Sequence, residues 1–123
     1  MGWEIFPEGL TKLLKRQIDD YTENLPIHIT ENGMANADRL INGQINDTKR
    51  VDYYLCHLKE IKTLLDQGLP IKSYFAWSLL DNFEWAYGYQ KRFGLVYVDF
   101  LTQERTPKQS YYAFQKALQT RKQ

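Results

Sequence analysis

Apolar residues recur at helical spacing in some stretches of the chain and crowd at strand spacing in others. From Pro7 onward, Leu10, Leu13, Leu14, Ile18 and Tyr21 fall on one helical face, with Lys12, Lys15, Arg16 and Asp19 opposite. Pro7 suits a first helical turn, and Asn24-Leu25-Pro26 ends the pattern. Ile27-His28-Ile29-Thr30-Glu31 then reads as a short buried strand. Its β-branched Ile27 and Ile29 lie two apart, on one face. Asn32-Gly33 stops the strand, because both residues tolerate turns. Asn32 to Asp47 has few large apolar residues and reads as a long loop, a kind of segment that is usually functional or mobile.

The second half repeats the alternation. Asp47 or Thr48 can cap a helix whose stripe is Val51, Tyr54, Leu55, Leu58, Ile61 and Leu65, with Gly68 and Pro70 at its stop. Ile71 to Ser78 is continuously apolar near its end, as expected of a strand buried on both faces. An aromatic-dense loop follows from Leu79 to Tyr89, and then an extended piece, Gly94 to Phe100. Thr106-Pro107 predicts the cap and first residue of a last helix, with Tyr111, Phe114, Ala117 and Leu118 as its apolar face. Gln119 to Gln123 is a polar end. The order helix, strand, loop, helix, strand, loop, helix predicts an α/β fold with parallel strands and long βα loops. Two parallel strands cannot make a stable sheet alone, so the chain reads as a segment of a larger fold.

Glu31 stands at the carboxyl end of the first strand, where α/β folds place chemistry. From position alone, the solvated loop carboxylate is the favoured reading. Trp77, Glu84 and Trp85 read either as a sugar cradle or as core aromatics beside a solvated charge. An indole can lie against the C–H face of a pyranose while a carboxylate accepts hydrogen bonds from its hydroxyls. The aromatic fraction of 15% is high, whereas 43% hydrophobic and 25% charged residues are ordinary for a globular protein. A net charge of +1 gives no bulk field for nucleic acid or acidic lipid. No apolar run is long enough to span a membrane, and Met1-Gly2-Trp3-Glu4 does not open a signal peptide, which makes a cytoplasmic location the expectation. His28 and His57 lack ligand spacing, so no metal site is expected, and no glycine-rich phosphate loop calls for a cofactor. His28 reads as a packed strand residue, Cys56 as a small apolar filler, and Lys91-Arg92 as a solvated turn.

Three stretches then carry a resemblance. Thr30-Glu31-Asn32-Gly33, the run from Trp77 to Trp85 and the run from Tyr89 to Asp99 resemble glycoside hydrolase family 1, the β-glucosidase family. Arg105 to Ser110 and Met1 to Leu10 are similar to further segments of that family, so the resemblance covers essentially residues 1–123 as one partial domain. It implies the C-terminal part of a (β/α)8 TIM barrel: the last two barrel strands with flanking helices, an incomplete barrel. A full barrel needs about 250 residues. The missing N-terminal barrel portion would be the chain's first partner, and a β-glucoside or oligosaccharide its substrate.

The resemblance implies that Glu31 is the catalytic nucleophile of a retaining glycosidase. It also implies that Trp77 packs against the sugar, Glu84 bridges the C4 and C6 hydroxyls, Trp85 donates to the C3 hydroxyl, and Phe93 lies beside the hydroxymethyl group. The family's Asn-Glu-Pro motif, which carries the acid/base glutamate, has no counterpart here; the acid adjacent to a proline is Glu8, at a helix start. Turnover by the isolated chain is therefore not expected. A carboxylate at Glu84 would repel a 6-phosphate, which points to unphosphorylated sugars, chiefly β-glucosides. The alternatives are a non-catalytic carbohydrate-binding piece and a decayed fragment.

Overall fold

Two parallel strands, β1 (Ile27–Asn32) and β2 (Ile71–Ala76), form the sheet on which the rest of the chain is hung. The computed structural model describes residues 1–120. Helix α1 (Pro7–Gln17) precedes β1, and α2 (Thr48–Asp66) crosses from β1 back to β2. This is the predicted parallel βα order. One face of the sheet packs on the two helices through Leu14, Ile29, Ile61, Leu64 and Ile71, with Leu10, Ile27, Leu69 and Tyr74 against them. Burial of these side chains, each worth about 1.5–3 kcal/mol, is what fixes the strands to the helices.

The helical faces differ in detail from those predicted. In α1, Leu14 is buried but Leu13 and Tyr21 are exposed. A π turn over Ile18–Thr22 adds a residue to the helical period, which carries Tyr21 off the face that holds Leu14. In α2 the buried residues are Arg50, Tyr54, His57, Ile61 and Leu64, while Leu55 and Leu65 are exposed. The helix is rotated from its apolar stripe because Arg50 is drawn inside by two acids. Cys56 is consequently exposed rather than a buried filler. His28 is likewise exposed, its Nδ1 2.7 Å from the Ser73 hydroxyl, and is not a packed core residue.

β2 is buried on one face only: Phe75, on the face away from the helices, is exposed. No second layer covers that face among the described residues. The extended piece after the aromatic loop becomes β3 (Val96–Val98), which pairs antiparallel with β4 (Arg105–Pro107). The Asp99 carboxylate accepts the N–H groups of Leu101 and Thr102 to close the turn, and these bonds hold its pKa below the usual carboxylate value. Thr106 and Pro107 therefore belong to a strand, not to a helix cap. Helix α3 (Gln109–Gln119) has Lys108 as its N-cap residue. Phe114 of α3 meets Tyr54 and Tyr74 at ring separations of 5.4 and 6.3 Å, but Leu118 is exposed. Of the predicted polar end, residues 121–123 lie outside the described residues.

Candidate active site

The strand that carries Glu31 is irregular where it matters. Ile29 stands opposite Tyr74 and Asn32 opposite Ala76, so three steps on β1 match two on β2. The extra residue is a β-bulge at Thr30–Glu31. Ile29 belongs to the helix-facing core, and Asn32 turns the same way, its Oδ1 accepting from the Tyr74 hydroxyl at 2.6 Å. Strict alternation would have put Glu31 on the side of Ile29. Thr30 and Glu31 are both exposed, and a bulge that groups these two consecutive residues carries Glu31 with Thr30 to the side away from Ile29. Phe75 and, by continued alternation, Trp77 belong to that same side, and Trp77 is 37% exposed.

The two strand ends are tied together. Trp77 N–H donates to the Asn32 carbonyl at 2.8 Å, and the Tyr54 hydroxyl donates to the Trp77 carbonyl at 3.2 Å. Gly33 allows this approach, because a Cβ there would stand 1.8 Å from the Trp77 oxygen. Burial raises the pKa of Tyr53, Tyr54 and Tyr74, and the Tyr54 and Tyr74 hydroxyls remain protonated donors.

Phe93 is buried beside the backbone that follows Trp77. It is 6% exposed, and its carbonyl accepts the Ser78 N–H at 3.3 Å. Glu84 and Trp85 stand at the tip of the aromatic loop, where a 3-10 turn runs from Trp85 to Tyr87. Glu84 N–H donates to Gly88 carbonyl at 2.7 Å, closing the tip on itself. Trp85 takes a positive φ of 40° and is 84% exposed. Part of the aromatic density is scaffold: Phe83 packs on Tyr89, and Tyr89 on Phe100. Among the described residues, the carboxylates of Glu31 and Glu84 have no hydrogen-bond or ion-pair partner, so both are free to meet a ligand. None of the five residues lines the cavity of about 600 Å³ that lies between α2, β2 and α3.

A buried charge network lies under the two loops, and sequence reasoning did not single it out. Asp38, Asp47 and Asp81 meet Arg50, Arg92 and Lys108, three charges of each sign. Arg50 donates to Asp47 and, at 2.8 Å, to Asp38. Arg92 donates to Asp81 at 2.8 Å and stacks 4.1 Å from the Tyr97 ring centre, so it is not part of a solvated turn. Asp47 precedes α2, yet its carboxylate caps α3, accepting Ser110 N–H at 2.9 Å. Burial pulls the Arg50 pKa down, but the hydrogen bonds and charges of Asp38 and Asp47 outweigh it and leave it raised. For Lys108, burial and the Arg50 charge prevail over Asp81 and Asp38, and its pKa is lowered. Every buried side-chain nitrogen and oxygen among the described residues has a partner. The available signal was faint: Asp81 and Lys108 sit inside the quoted motifs, but nothing in sequence spacing pairs them.

The model of the family described as Glycosyl hydrolase family 1 matches residues 1–123. The chain belongs to this family. Its family 1 relatives include Beta-glucosidase A of Thermotoga maritima, 50% identical over an alignment of 114 residues that covers 91% of this chain and 25% of the relative. The bifunctional beta-D-glucosidase/beta-D-fucosidase of Bifidobacterium breve is 46% identical over 90% of this chain and 25% of its own length. The structure superposes on the family 1 β-glucosidase of Exiguobacterium antarcticum B7 with a TM-score of 0.95 and 50% identity, over 98% of this chain and 27% of that one. The Thermotoga maritima family 1 β-glucosidase in complex with isofagomine lactam gives a TM-score of 0.93 and 46% identity, over 97% of this chain and 27% of that one. This family 1 chain thus spans about a quarter of the length of the relatives it matches, and its described residues form no closed barrel.

Proposed function

We propose that this chain is the C-terminal quarter of a (β/α)8 barrel that hydrolyses unphosphorylated β-D-glucosides with retention. Glu31 is the nucleophile, and Trp77, Glu84, Trp85 and Phe93 form the subsite for the sugar being cleaved. The observation that carries the reading is the bulge at Thr30–Glu31. The register shift and the exposure of Glu31 fit a carboxylate on the face away from the helices, the face of Trp77, which the closed barrel would enclose. The likeness to family 1 β-glucosidases supports it.

In this reaction a Glu31 oxygen attacks the anomeric carbon as the bond to the leaving oxygen breaks. A carboxylic acid on a strand outside this chain protonates that oxygen. Water, activated by the same group, then attacks the anomeric carbon of the glycosyl ester and frees Glu31. The two carboxyl groups must stand about 5–5.5 Å apart for this outcome. Two βα loops cannot wall a sugar site that a whole barrel builds from eight, which accounts for the open surface around Glu31.

The test joins all residues of this chain to the remaining three quarters of Thermotoga maritima Beta-glucosidase A. The chimera should hydrolyse an aryl β-glucoside, and proton NMR should detect β-glucose as the first product. The 123-residue chain alone should show no turnover. A first product in the α configuration, or a folded chimera with no activity, contradicts the proposal.

A further inference from the structure

Lys108 takes no part in the chemistry just described, yet it is wholly buried at the N-cap of α3. Its Nζ lies 2.6 Å from Asp38 Oδ2 and 2.7 Å from Asp81 Oδ1. These acids come from different loops. Asp38 lies in the loop that follows Glu31. Asp81 lies between Trp77 and Glu84. One ammonium group therefore clasps the loop after the nucleophile to the loop that carries the sugar-binding residues.

Asp81 is held on every side. Its Oδ1 also accepts Gly94 N–H at 2.9 Å, and its Oδ2 accepts Arg92 at 2.8 Å and Val98 N–H at 3.4 Å. Arg50 adds a second clasp, donating from one nitrogen to Asp38 and to the Arg92 carbonyl at 2.7 Å. Such a network is a poor source of net stability, because removing the ions from water offsets much of their attraction. What it supplies is geometry: partners this fully satisfied admit one arrangement of the two loops.

We infer that Lys108 is a positioning residue for sugar recognition, fixing the Trp77–Glu84–Trp85 segment relative to Glu31 through Asp38 and Asp81. The inference rests on the proposed glycosidase reading and adds to it the device that sets specificity. If Lys108 acts this way, its loss should blunt the contacts of the Glu84 loop more than the attack by Glu31.

The experiment compares Lys108→Met and Asp81→Asn with the unmutated chimera on aryl β-glucoside and aryl β-xyloside, which lacks the hydroxymethyl group. In the proposed subsite Glu84 meets the C6 hydroxyl, so only the glucoside reports its full placement. The ratio of kcat/KM for glucoside over xyloside should fall about tenfold or more in both variants, the scale of one hydrogen bond to a charged group. Equal losses on both sugars would mean that the network acts only on stability, and would overturn the inference. Lys108→Met leaves two buried acids short of a cation, so a thermal melt precedes each assay, and Asp81→Asn, which keeps the side-chain shape, decides if Lys108→Met does not fold. If neither folds, the network is a folding element and the inference is wrong. An unmutated chimera that hydrolyses neither sugar removes the underlying reading, a failure visible before either variant is made.

Discussion

Gly33→Ala should separate the ends of β1 and β2. The added Cβ would stand 1.8 Å from the Trp77 carbonyl oxygen and 2.9 Å from its carbon. Real Cβ contacts stay beyond 3.0 Å, so β1 and the Trp77 backbone must part by at least about 1.2 Å. Neither partner is a flexible side-chain end, and neither can swing aside. Overpacking of this kind costs about 1–3 kcal/mol. The 2.8 Å bond from Trp77 N–H to the Asn32 carbonyl would stretch or break, costing about 1 kcal/mol more. Glu31 is two residues from the clash, and displacements near 1 Å in a reacting group cost about 100-fold in rate. In the chimera, kcat/KM on an aryl β-glucoside should therefore fall about 100-fold, with a lower melting temperature. Activity within about threefold of the parent would refute the reasoning, because the strand ends could then not be coupled as closely as the geometry requires.

Glu84→Gln keeps the shape and removes the charge. Glucoside kcat/KM should fall about 10- to 100-fold, and the relative rate on the 6-phosphoglucoside should rise; competition between the two sugars measures both. Leu64→Ala empties a fully buried site between helix and sheet and should cost about 2–5 kcal/mol, read from urea unfolding. Tyr53, Tyr54 and Tyr74 have folded pKa values above the ordinary 10.0. The stability tied to their protonation is complete below pH 10.0 and is lost as pH rises through the higher folded values. The urea midpoint should fall above that pH, and less steeply in Tyr74→Phe.

Much of this framework was readable from residue order. Ile27 and Ile29 marked β1, Pro7 opened α1, and Gly68 with Pro70 closed α2 near its observed end. What stayed hidden depended on partners far away in sequence. The apolar stripe of α2 pointed to Leu55 and Leu65, but Arg50 is buried by Asp38 and Asp47, and charge pairing outweighed the periodicity. β3 and β4 are three residues each, too short for any period to register, so Thr106-Pro107 read as a helix cap. The position of Glu31 at a strand end was legible, but its direction was not. A bulge is a mismatch between two strands, and no single strand's sequence reveals it. Glu84 and Trp85 were singled out by motif, and the structure adds the closed turn that presents them.

The proposed bond between Glu31 and sugar can be caught. The fluorine of a 2-fluoro-β-glucoside slows both steps of the double displacement and a good leaving group restores the first, so the glycosyl ester accumulates. The chimera is inactivated with this reagent, digested and read by mass spectrometry. The peptide holding Thr30-Glu31-Asn32-Gly33 should gain the mass of one 2-deoxy-2-fluoroglucosyl group, and fragmentation should locate it on Glu31. Inactivation with the label on any other residue would contradict the account.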